Sequence, residues 1–320
     1  MFPQPGIGTQ YNQLALIVLD SPDRQMLQPA IDAFFASLAG VISQNTEIFY
    51  LRRLPSLSQF LGDIRLATIT LDQLRAWRAD LARSKIRYAG TSRERPGCYS
   101  PYTLHQFVRV ARKFFKWCEE TGRISSSPAR RLELPPLPSP KRRGISPESA
   151  RLIFAACSSP RDYAILRLLY DTAARVGGVA GLCLDDLDLD CFKALVREKG
   201  RGGHGKERFI FLMPSTVAAI REYLAVRPNV PFDNLFVGKR GPIHESGIYQ
   251  IIKRIAKRAG VKKGWNPHNW RHARIRMWLS KGMPLKTASE LAGHSSIRIT
   301  ADIYGTSSDQ ELLEAAQKYY

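Results

Sequence analysis

Residues Asn266 to Tyr304 read NPHNWRHARIRMWLSKGMPLKTASELAGHSSIRITADIY, and this stretch decides how the rest of the chain is understood. His268 and Arg271 stand three apart in a segment of helical spacing, which projects both from one helix face. His294 follows in a turn containing Gly and Ser, and Tyr304 closes a short amphipathic run. A guanidinium can hold two phosphate oxygens at once, imidazoles pass protons near neutrality, and a phenolate can form a covalent phosphotyrosine. The set therefore suits attack by tyrosine on a phosphodiester.

Composition points the same way. The chain has 320 residues, enough for two ordinary domains with their own cores. Lys and Arg number 48 against 28 Asp and Glu, a formal charge of +20 spread along the sequence, so a polyanion is the natural partner. No apolar run approaches the roughly 20 residues a spanning helix needs, which predicts no membrane association. The first residues, MFPQPGIGTQYNQLALIVLD, lack the pattern of a secretory signal, so a cytoplasmic location is expected. Cys98, Cys118, Cys157, Cys183 and Cys191 are odd in number and form no CxxC pair, which argues against a disulfide framework and a zinc site.

Upstream, residues 1–24 read as an N-terminal arm. Leu27, Ile31, Phe34, Phe35 and Leu38 give a helix with one buried face within 25–43, and a second helix over 45–61 is expected to bend or break at Pro55. Thr70 with Gln73 makes a capping box ahead of a third. The fourth, 101–121, carries its apolar stripe on Leu104, Phe107, Val108, Ala111, Phe114, Phe115 and Cys118. Its Arg109, Arg112, Lys113 and Lys116 fit either a solvated face or a phosphate backbone. Residues 25–132 thus read as one helical domain. Residues 133–145, rich in proline and including Lys141, Arg142 and Arg143, read as a stiff basic linker.

A second domain, 146–320, opens with Ser146 as N-cap and Pro147 behind it. Two helices, a Gly-rich turn after Arg175, and strands over 192–197 and 208–212 follow, the strands joined by the basic loop EKGRGGHGKE. Helices resume over 215–225 and 245–259. The fold class is mainly α with a small β-sheet.

With these pieces in order, the chain resembles the tyrosine recombinase family of phage-integrase-like enzymes. The resemblance rests on TAARVGGVAGL, a hairpin with KG and KER, PHNWRH, LAGHSS and a terminal IY, and it covers most of the length. It implies a two-domain DNA clamp with a catalytic site of Arg175, Lys199, His268, Arg271, His294 and Tyr304. The two arginines would clamp the scissile phosphate and His268 would transfer a proton near the phenol. His294 would hydrogen-bond the phosphate, and Lys199, or else Lys206, would protonate the departing 5′ oxygen. Arg142, Arg143, Arg201 and Lys206 are expected on the DNA backbone. No metal or cofactor is implied, because arginine and lysine supply the positive charge.

The implied partners are double-stranded DNA and further copies of the chain in a tetrameric synapse, with the tail after Tyr304 docking as a helix on a neighbour. His272, one residue past Arg271 and on a different face, reads as structural. A type IB topoisomerase-like swivelase, or a DNA-binding protein with a decayed site, are the alternatives.

Three departures from the family pattern bear on the site, the first being a hairpin loop longer than the family's KGxKER, which leaves its lysine as Lys199 or Lys206. Gly178 stands three residues after Arg175, where a Glu or Asp is usual. Tyr304 lies ten positions after His294, one more than the commonest spacing, which calls for a bulge or a longer loop.

Overall fold

Pro55 ends one helix and starts the next. A proline cannot donate to the preceding turn but is well placed in a first turn, so the segment expected to bend resolves into α2 (Gln44–Leu51) and α3 (Pro55–Leu61). The computed structural model of the chain describes residues 25–138, 144–199 and 205–304, with Leu313 and Gln317. Its contacts divide the chain into two units, Met1–Ser139 and Pro140–Tyr320.

In the first unit, α1 (Leu27–Leu38), α2, α3, α4 (Leu71–Arg83) and α5 (Pro101–Glu120) surround one core. Leu27, Phe34, Leu57, Leu74, Trp77, Phe107 and Phe114 are fully buried in it. Thr70 and Gln73 cap α4 reciprocally, as their spacing requires. The short pair β1 (Ile86–Arg87) and β2 (Arg95–Pro96) joins α4 to α5. On α5, Arg109, Lys113 and Lys116 are exposed opposite the apolar stripe, and Arg112 is half-buried. The proline-rich connection starts out pinned, not free. Arg75 donates to Glu133 at 2.6 Å, Arg78 donates to the same carboxylate at 3.0 Å, and the Tyr102 hydroxyl donates to the Pro138 carbonyl at 2.8 Å. Arg142 and Arg143 lie outside the described residues, as do the N-terminal arm and most of the tail beyond Tyr304.

The second unit begins with α6 (Pro147–Ala155), whose N-terminus is capped by Ser146, and α7 (Pro160–Thr172). The one-and-a-half-turn α8 (Val176–Ala180) follows. A three-stranded antiparallel sheet comes next: β3 (Leu187–Asp188), β4 (Lys193–Lys199) and β5 (Gly205–Phe211). The strands of the hairpin run further than their β-branched and aromatic residues suggest, because main-chain pairing continues to Lys199 with Gly205. Arg201 and the rest of 200–204 lie outside the described residues.

Alternation along the hairpin buries Ala194, Val196, Glu198 and Ile210 on one face and exposes Phe209 and Phe211 on the other. After α9 (Pro214–Val226) comes a second small hairpin, β6 (Val237–Gly238) with β7 (Gly241–Pro242). α10 (Glu245–Arg258), α11 (Pro267–Ser280), α12 (Leu285–Ala292) and α13 (Ile297–Tyr304) complete it. Ile153, Leu166, Leu169, Val196, Ile220, Phe236, Ile252 and Trp270 share one core. Among the described residues no helix is long and apolar enough to cross a membrane.

Candidate active site

Arg271 is carried by α11, which starts at the Asn266 cap with Pro267 in its first turn. Two arginines one turn apart tie this helix to α7. Arg271 Nη1 donates to the Ala173 carbonyl at 2.6 Å, and Arg274 donates to the Tyr170 carbonyl and pairs with the buried Asp171. Asp171 also accepts from Thr216 at 2.7 Å and pairs with Arg167 at 2.7 Å, so its charge is fully compensated. Ala173, left-handed at φ 53°, ends α7 and turns its carbonyl toward Arg271. Arg271 is 5% exposed, and its Nη2 is buried without a hydrogen-bond partner among the described residues. Burial, with the Arg175 charge next, pulls its pKa down to about 10, so it remains cationic at neutral pH.

Arg175 enters the same site as the residue before α8. Its Nη1 pairs with Glu198 on β4, and its Nη2 donates to the Gly293 carbonyl at 3.1 Å. Glu198 is 5% exposed and accepts twice more, from the Arg175 backbone N–H at 3.1 Å and from Arg208 Nη2 at 3.0 Å. Burial alone would raise its pKa, but Arg208 and Arg175 outweigh that and hold the carboxylate below its ordinary range. Arg208 also donates to the Leu291 carbonyl at 2.9 Å, which fixes the end of α12 to the sheet.

That helix ends at Gly293 in the left-handed region, φ 67°, with the His294 N–H returning to the Ser289 carbonyl. The turn aims His294 inward, where Nδ1 hydrogen-bonds Thr300 Oγ1 at 2.6 Å. Burial, then the Arg271 and Arg175 charges, lowers the His294 pKa to about 4, so the ring is neutral at pH 7.

The long interval from His294 to Tyr304 produces no bulge. α13 is unbroken from Ile297 to Tyr304 and places Thr300 and Tyr304 one turn apart on its buried side. Tyr304 is 8% exposed and packs with Ala173, Ile275 and Ala292. Its hydroxyl is hydrogen-bonded to His272 Nδ1.

The structure thus brings Arg175, Arg271, His294 and Tyr304 together. His268 is exposed at the start of α11, and it is His272, one turn further on, that meets the phenol. The interval of one residue from Arg271 made His272 look misplaced. The interval of four from His268 was the usable signal, because residues at i and i+4 share a helix side. Lys199 pairs its backbone with Gly205, and Lys206, exposed, pairs with Glu198 and so shares that residue's side of the sheet. Glu198 was not anticipated at all. Among the described residues, no group of three or more His, Cys, Asp or Glu side chains could hold a metal ion.

Comparison with known proteins bears on this arrangement. The model of the phage integrase family matches residues 145–311. A tyrosine recombinase XerC from Corynebacterium efficiens is 32% identical over 307 residues, 92% of either chain. One from Corynebacterium glutamicum is 35% identical over 225 residues, 68% of this chain and 71% of the relative. Among solved structures, a Tn1549 transposon integrase in complex with circular intermediate DNA superposes with a TM-score of 0.73 at 19% identity, covering 92% of this chain and 99% of that one. A lambda integrase dimer bound to a core site gives 0.69 at 17% identity, covering 86% and 97%. At these identities the two structures speak for the fold.

Proposed function

The chain belongs to the phage integrase family of tyrosine recombinases, and from that premise we propose a site-specific recombinase that cuts and rejoins duplex DNA through a 3′-phosphotyrosine, using Arg175, Lys199, an α11 imidazole (His268 or His272), Arg271, His294 and Tyr304. The observation that carries the reading is the buried Nη2 of Arg271, without a hydrogen-bond partner among the described residues and close to Arg175, His294 and Tyr304. A guanidinium nitrogen withdrawn from water gains most from an anionic oxygen. A phosphodiester offers two such oxygens beside the phosphorus that Tyr304 would attack.

Atoms balance in one step. The Tyr304 oxygen bonds to phosphorus and the bond to the 5′ oxygen breaks. The phenol proton passes to an α11 imidazole, and the leaving oxygen takes a proton from Lys199. Arg175 and Arg271 hold the charge that builds on the phosphoryl oxygens, a role in which losing one donor costs about 100-fold or more in rate. His294, neutral, donates a hydrogen bond without adding charge. The 3′-phosphotyrosine conserves the energy of the broken bond, and the 5′ hydroxyl of a second strand reverses the step. DNA partnership and a tetrameric synapse follow from the same reading, with Arg142, Arg143, Arg201 and Lys206 on the backbone.

A pool of nicked duplexes of randomised sequence tests this, because a strand cut just 5′ of a nick sheds the short fragment that carries the 5′ hydroxyl, and the adduct cannot religate. Wild type should become covalently attached to DNA, and Tyr304→Phe should bind without attaching. Sequencing the trapped DNA then gives the site. No adduct on a duplex the protein demonstrably occupies would refute the mechanism. With two duplexes of that site, exchange of strands between them separates recombinase from swivelase.

A further inference from the structure

Glu198 occupies the space that Gly178 leaves empty. A Cβ built on Gly178 would lie 3.3 Å from Glu198 Cγ, 3.4 Å from Val196 Cβ and 3.6 Å from Glu198 Oε1. The bare helix face of α8 is therefore a seat for a side chain that arrives from β4. Only three described groups engage the seated carboxylate, namely the Arg175 guanidinium, the Arg175 backbone N–H and the Arg208 guanidinium, so all its hydrogen bonds converge on the arginine side of the site. Arg208 in turn reaches the Leu291 carbonyl, and Arg175 reaches that of Gly293, on either side of the last residue of α12.

We propose that Glu198 is the positioning residue for Arg175, supplied by the sheet because Gly178 withholds a side chain from the helix. This rests on the function proposed above. The carboxylate does not touch the reacting phosphate. It fixes the Arg175 fork at both its backbone and its guanidinium, and through Arg208 it sets the turn that presents His294. Because Glu198 immediately precedes Lys199, the last residue of β4, the same anchor fastens the loop end of the hairpin on which the proposed acid stands. One buried carboxylate thereby coordinates a phosphate clamp and a leaving-group donor that lie 24 residues apart in sequence.

Two variants, one single and one double, test it on the full-length protein, with trapped nicked duplex as substrate. Glu198→Gln keeps the volume but sets an amide against two guanidinium groups. It should slow single-turnover adduct formation at least tenfold while DNA affinity stays within about twofold and the circular dichroism spectrum is unchanged. Gly178→Glu combined with Glu198→Ala returns a carboxylate from the helix side into the vacated space. It should recover at least tenfold of the rate that Glu198→Ala alone loses.

Adduct formation by Glu198→Gln within threefold of wild type overturns the proposal. So does a loss of rate matched by an equal loss of affinity or by unfolding. A folded double variant no faster than Glu198→Ala also overturns it. If the double variant does not fold, Glu198→Gln decides alone. Wild type that forms no adduct refutes instead the catalytic reading on which all this rests.

Discussion

His272 Nδ1 and the Tyr304 hydroxyl are hydrogen-bonded, with ring centroids 5.6 Å apart, although 32 residues separate them. The pair joins the helix that carries Arg271 to the helix that ends in the proposed nucleophile. An imidazole already at the phenol can accept the proton that would leave as the tyrosine attacks. His272→Ala should slow adduct formation by about 100-fold, the lower end of general acid–base effects, and His268→Ala should slow it less. Rapid-quench single turnovers on trapped duplexes decide between them. The reverse order would return the role to His268.

His294 yields a prediction about acid. Its pKa is about 4 in the folded protein against 6.5 ordinarily, so between those values the unfolded chain binds the proton that the folded one refuses. Stability conferred by the neutral ring is complete above about pH 6.5 and is lost as pH falls toward 4. His294→Gln, which does not titrate, should lose less melting temperature than wild type between pH 7 and pH 4.5. Parallel melting curves without DNA would show the gap. Equal losses would mean the ring is not shielded as its burial indicates.

Arg271→Lys should cost about 100-fold in adduct formation, since an ammonium cannot donate to the Ala173 carbonyl and a phosphate oxygen through one planar fork. It should also lower stability by about 1–2 kcal/mol, because α11 loses a buried charged hydrogen bond to the end of α7. Urea unfolding and single-turnover rates measured on one preparation separate the two effects.

Local patterns wrote most of the helices plainly. The Thr70–Gln73 capping box, Ser146 with Pro147, and the apolar stripe of α5 are each complete within one or two turns, and the structure follows them. The two-residue strands of the β6–β7 hairpin and β3 are not legible for a different reason, since two residues are too few to show an alternation. The candidate site divides likewise. Arg271, His294 and Tyr304 lie in one quoted segment and were read there. Glu198 meets Arg175 across 23 residues, and its role depends on a missing Cβ at Gly178, which no spacing rule encodes. His272 is visible in the sequence, but its contact with Tyr304 is made only by the packing of α11 on α13.

Gly293→Ala tests the turn that joins these parts. At φ 67° an L side chain is strained, and its Cβ would come within 2.8 Å of Arg208 Cδ. The strain costs about 1 kcal/mol or more, a loss of about 2–4 °C in melting temperature for a domain of this size. Displacing Arg208 also disturbs its hold on Glu198 and on the Leu291 carbonyl, so the rate of adduct formation should fall further than the stability loss alone predicts.

The leaving-group acid can be assigned by chemistry that no longer needs it. Replacing the bridging 5′ oxygen by sulfur makes a leaving thiolate that departs unprotonated. A variant lacking the general acid should therefore be slow on the ordinary duplex and near wild type on the sulfur-substituted one. Lys199→Ala should show that rescue, as the lysine next to Glu198 at the loop end of the hairpin. Lys206, directly across the ladder from Glu198 and exposed, is the control that matters. Lys206→Ala should weaken binding in a salt-dependent way, as a lost phosphate contact does, and by the same factor on both duplexes. Rescue of Lys206→Ala instead of Lys199→Ala would move the acid to β5.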